Sequence, residues 1–175
     1  MPDVAETIEE SGRRIGHHAW VEMQLFEILG RWSGTVPEPR AQALFASQSH
    51  HHAWHAEMWH VLLPALPHLP TADLVAPTEG DAALVASLTA LDEADEPTST
   101  RLAAVYATAL PHLIVTCTDH LAHTTVATDT PTIRVLRLTL ADLAADLTAG
   151  EAVIAALGAG RHDGPVSPAA AADQR

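Results

Sequence analysis

The sequence predicts an all-α domain built as two antiparallel helical hairpins joined by one long crossover. Apolar residues recur at three- and four-residue spacing in four long segments, and glycine and proline fall mainly between those segments. The first and third connections are short and the second is about 35 residues long, so neighbours in each hairpin run antiparallel while the hairpins are tied loosely. With 175 residues and 47% hydrophobic content the chain can bury one sizeable core. A single domain is expected over residues 1–160, with an Ala- and Pro-rich disordered tail over 161–175.

The first helix is expected from about Asp3, with Glu6 three residues on as a capping box, to about Trp32, before Gly34. Its inward stripe reads Ile15, His18, Glu22, Leu25, Leu29 and Trp32. The second begins at Pro37-Glu38-Pro39, where first-turn proline is tolerated, and stops before Pro64. Its stripe reads Phe45, Gln48, His52, His55, Trp59 and Leu62. The proline-rich connection from 64 to 98 has room for one short helix at about Asp81 to Leu91. A third helix is expected from Thr98 to about Thr128, kinked near Ala107 because Pro111 lacks an amide hydrogen. The fourth starts at Thr130-Pro131 and ends at Gly158-Ala159-Gly160, with an apolar stripe Leu136, Leu140, Leu143, Leu147, Ile154 and Leu157.

Charge narrows the partners. The net charge is −13, from 22 acids against nine basic residues. All nine are arginine, too few and too scattered to neutralise a phosphate backbone, so nucleic acid and anionic membranes are not expected partners. No apolar run approaching about 20 residues and no basic-then-apolar leader is evident, which makes a cytoplasmic address the expectation. One cysteine, Cys117, excludes an internal disulfide and a multi-thiolate zinc site; in its apolar setting it reads as core.

Twelve histidines stand out, five of them in the run from His50 to His60. Helical phase divides that run. In a hairpin turning near residue 35, His18 lies level with His52, Glu22 with Gln48, and Ile15 with His55. His18, Glu22, His52 and His55 therefore meet at one depth, and imidazole nitrogen plus a carboxylate suits a single zinc or ferrous ion. The plainer alternative is a hydrogen-bonded polar core, since neutral histidine packs well when each nitrogen finds a partner. Gln48, Trp59, His112 and Asp146 are candidate ligand-binding residues, Gln48 lying level with Glu22 and His112 with Asp146 across the second hairpin. His17, His50, His51 and His60 fall outside, and Asp119, His120 and His123 read as half-exposed.

These residues resemble the ferritin-like superfamily, whose di-iron members take one glutamate from each of two helices and a Glu-x-x-His motif from each of the other two. Glu22, followed by Glu57-Met58-Trp59-His60, is similar to the first half of that pattern, which makes Glu57 and His60 an alternative metal pair. They sit on the face away from His55. The second half departs: the corresponding segment carries Leu143-x-x-Asp146, so a complete di-iron centre is not expected. The resemblance implies an iron- or zinc-binding bundle acting as an oxidoreductase on a small organic molecule.

Two alternatives stay open. The chain also resembles DinB-like metal-dependent thiol transferases, which use three histidines; His52 matches the first, but His120-Leu121-Ala122-His123 is one residue shorter than the expected His-x-x-x-His pair. A non-catalytic module is the other, with a structural histidine core and Trp20, Trp54 and Trp59 serving a homo-oligomer, most simply a homodimer. Twelve histidines on an acidic chain would also make either version sensitive to pH.

Overall fold

The computed structural model describes residues 7–125 and 129–160, and among these the structure is helical without strands. The elements are α1 (Ile8–Thr35), α2 (Pro39–Val61), α3 (Thr71–Leu74), α4 (Glu79–Glu93), α5 (Thr98–Ala104), a π-helical turn (Val105–Ala109), α6 (Leu110–His123) and α7 (Thr130–Gly160). The four expected long helices are present, the third as the continuous rod α5–π–α6. The expected capping box at Asp3 lies outside the described residues. Thr7 caps α1 instead, with Glu10 closing a reciprocal box. The tail from 161 to 175 also lies outside them.

Proline explains the break in the third rod. Pro111 has no amide hydrogen to give Ala107, and the chain answers with a π turn in which Leu110 N–H reaches back to Val105 O. The rod therefore changes register beside Ala107, where sequence placed a kink. Tyr106 lies inside this turn and its ring lies against α7 at Gly150, where a β-carbon would come within 2.2 Å of the ring.

Named contacts set the helix directions. In α1, His18 meets His120 and Trp32 meets Arg101, so α1 and the α5–α6 rod run antiparallel. In α2, His51 meets Asp146 and His55 meets Asp142, so α2 and α7 also run antiparallel. Glu38 with Thr98 and Gln48 with Tyr106 make α2 and the rod parallel, which a hairpin-sized loop could not do. The crossover carries α3 and α4 along α1. It comes so close that a β-carbon on Gly16 would stand 2.0 Å from the Leu74 carbonyl oxygen. The four-residue α3 was not expected, and α4 is slightly longer than the sequence suggested; Thr78 and Asp81 cap it reciprocally.

The core runs along the bundle axis. At the end formed by the α1–α2 turn it is apolar, with Leu25, Leu29, Trp32, Phe45, Leu102 and Leu110 fully enclosed. Toward the other end it becomes polar, with His18, Glu22, Gln48, His52, His55, His120 and Asp146 all buried. The expected stripe of α7 is shifted. The residues it buries are Thr132, Ile133, Leu136, Thr139, Leu143, Asp146 and Gly150; Asp146 pairs with His51 of α2, and at Gly150 the Tyr106 ring leaves no room for a side chain. Ile154, expected inside, is exposed.

One segment departs from the composition reading. Thr98–His123 spans 26 residues and reaches a mean hydropathy of 1.2, long and apolar enough to cross a membrane by those criteria alone. The bundle encloses Leu102, Val105, Ala109, Leu110 and Leu113 of this segment, while Val115 stays 66% exposed.

Candidate functional site

Glu22 sits at the centre of the polar core. Its carboxylate reaches one histidine with each oxygen: Oε2 lies 2.5 Å from His52 Nδ1 and Oε1 lies 3.5 Å from His55 Nδ1. His52 and His55 follow at three residues on α2, so both rings project toward α1 from adjacent turns. One atom from each of Glu22, His52 and His55 falls within 4.8 Å of the others, and the three side chains are buried. Two imidazoles and one carboxylate are a set of residue types that could hold a metal ion.

Asp142 completes the arrangement from α7. Its Oδ2 lies 3.1 Å from His55 Nε2, a carboxylate–imidazole pair of the sort that orients a metal-binding histidine. If His55 donates Nε2–H to Asp142, its Nδ1 lone pair faces the Glu22 carboxylate, and two electron-rich atoms at that distance require a proton or a cation between them. Burial opposes charge on His55, but hydrogen bonds to Glu22 and Asp142 outweigh it and raise its pKa to about 9. Burial likewise opposes charge on Glu22; the attraction of His52 and His55 outweighs it and lowers its pKa to about 2. His52 Nε2, on the side of the ring away from Glu22, is buried without a hydrogen-bond partner.

His18 does not join this group. It turns instead toward the rod, where Nε2 lies 3.0 Å from His120 Nδ1 and Nδ1 lies 3.8 Å from Cys117 Sγ. Its ring stacks on Trp59, with centroids 4.7 Å apart. Burial lowers the pKa of His18 to about 4 and of His120 to about 3, the neighbouring imidazole adding to the shift at His120. Both rings are therefore neutral. His120, which the sequence reads as half-exposed, is 1% exposed, and burial also holds the Cys117 thiol in its protonated form.

Other expected residues separate. Gln48 is buried, but it bridges Tyr106 OH and the Asp146 carbonyl rather than touching the Glu22 group. Asp146 is paired with His51, at 3.0 Å, so His51 is not a free surface residue. His112, expected opposite Asp146, hydrogen-bonds Asp81 of α4 at 2.9 Å, because the π turn and the crossover bring its side of α6 to α4. Glu57 and His60 are exposed and stand apart from Glu22. The three-histidine alternative is not assembled, since His123 is exposed and bonds the Asp119 carbonyl of its own helix. Trp59 is enclosed in the core while Trp54 is 47% exposed.

Sequence reasoning missed Asp142 and Asp146 as partners of α2. The signal was present: two histidines four apart, His51 and His55, face two aspartates four apart, so any antiparallel α2–α7 contact satisfies both pairs together. No protein-family model, curated protein or solved structure matches this chain.

Proposed function

We propose that this chain is a ferritin-like bundle binding one divalent metal ion, iron or zinc, through Glu22, His52 and His55, and that it acts on a small organic molecule. The observation that carries the reading is a buried carboxylate facing two imidazoles, one of them held from behind by Asp142. Buried charge of this kind is costly unless paired or metal-bound. The ring of contacts α1–α2–α7–rod–α1, with α2 and the rod parallel, supports the ferritin-like arrangement. Neither α7 nor the rod offers a Glu-x-x-His motif, so the proposal is for one ion.

Bound iron would supply activation of dioxygen for oxidation of an organic substrate; bound zinc would supply Lewis-acid polarisation. The chain itself does the rest. Glu22 neutralises charge, Asp142 fixes the His55 tautomer and ring angle, and the apolar core on one side excludes water. Thermal melting of the chelator-treated protein tests the reading: zinc or ferrous ion at about 100 times Kd should stabilise by about 2.7 kcal/mol. An unchanged melting temperature with both ions would reject it.

A second reading is favoured by the His55 geometry, because a proton can occupy the place of the cation. In that case the cluster is a buried imidazolium–carboxylate core with a structural role, and neither metal alters the melting temperature.

A further inference from the structure

Helix α2 carries two stripes of opposite character. The inward stripe is polar in its second half, with His52 and His55, while an outward stripe is apolar: Trp54, Met58, Val61 and Leu62 recur at the first, fifth, eighth and ninth positions of two turns. Val61 is 78% and Trp54 47% exposed. Met58 and Leu62 are half-buried, Leu62 packing against the core, so Trp54 and Val61 are the part of this stripe that folding leaves bare.

The stripe forms one wall of a groove of about 360 Å³, and Val135 of α7 contributes the other. That volume is at the small-molecule end of binding cavities. Among the described residues lining it, Glu57 alone carries charge. Glu57 is three residues from Trp54, one turn along the same helix face, and both line the groove. An ammonium group placed there gains both an ion pair and a cation–π contact, while an anion meets Glu57 and an overall negative protein. The indole in turn lies over the His55 ring, with centroids 6.4 Å apart and planes inclined by 24°. The groove thus shares a wall with the buried cluster.

We propose that this groove binds a small amphipathic amine, its apolar body along Met58, Val61, Leu62 and Val135 and its ammonium between Glu57 and Trp54. The groove stands without any metal, so this inference survives or fails apart from the metal reading.

The test uses 3-phenylpropylamine and 3-phenylpropionate, titrated by calorimetry and tryptophan fluorescence into chelator-treated protein. Saturable binding of the amine, with the carboxylate at least roughly tenfold weaker, is expected. Trp54→Ala should weaken the amine by roughly tenfold, and Glu57→Gln should erase the preference for it. Both positions are exposed, and circular dichroism should show the fold retained. Absence of saturable amine binding, equal binding of both probes, or indifference to Trp54→Ala would overturn the proposal. So would a dimer in light scattering that Trp54→Ala dissociates, since a second copy would then occupy the groove.

Discussion

At the scale of single residues, Glu22 decides how the polar core behaves. It is 1% exposed and faces two imidazoles, so Glu22→Gln leaves His55 without its principal counter-charge. Removing one partner of a buried pair costs about 3 kcal/mol or more. Urea unfolding of Glu22→Gln should show that loss, and a variant as stable as the parent would mean the cluster carries no charge. Asp142 is half-exposed and touches only the far nitrogen of His55. Asp142→Asn should therefore keep the fold yet weaken metal binding by roughly 10- to 100-fold, measured by competition with a chromogenic chelator. An unchanged affinity would remove Asp142 from the site. The interior placement of Glu22, His52 and His55 was legible because a short turn fixes the phase of two facing helices. Asp142 and His120 were not read, because their partners lie across a long crossover; the matching four-residue spacings of His51/His55 and Asp142/Asp146 become a signal only once α2 and α7 are taken as antiparallel neighbours.

At the scale of elements, close approach decides which glycines are needed. Glycine in a helix costs about 1 kcal/mol relative to alanine, so alanine should win wherever there is room. At Gly34 nothing lies within 4 Å of an added β-carbon and the backbone is not left-handed, so Gly34→Ala should gain roughly 0.5 kcal/mol. At Gly16 the added carbon meets backbone, the Leu74 carbonyl, and neither side can rotate away. Gly16→Ala should lose about 1–3 kcal/mol as α3 is pushed from α1. Thermal unfolding of the pair should show shifts of opposite sign; a gain at both positions would mean that the crossover is held loosely. Element identities were readable from periodicity and proline. The α7 stripe was not, because counting leucines assumes that depth follows hydrophobicity, whereas α7 buries Thr139, meets α2 through Asp146 and meets the Tyr106 ring at Gly150.

At the scale of the whole molecule, the two histidine groups pull stability in opposite directions with pH. His18 and His120 bind protons in the unfolded chain at about 6.5 but in the folded chain only near 4 and 3, so stability falls as pH drops below 6.5. His55 holds its proton to about 9, so its contribution is complete below 6.5 and is lost as pH rises through 9. Glu22 adds to the acid side, its contribution fading as pH falls from 4.5 toward 2. The metal-free protein should therefore be most stable near pH 6.5 and lose stability on both sides; a melting temperature that stayed level from pH 5 to 9 would contradict that balance. The most direct measurement for the account as a whole is metal stoichiometry. Protein reconstituted with iron or zinc, then desalted, should retain about one ion per chain, and Glu22→Gln and His52→Ala should each retain almost none. Less than about 0.1 ion in the parent, or full retention in both variants, would contradict a metal centre at this cluster.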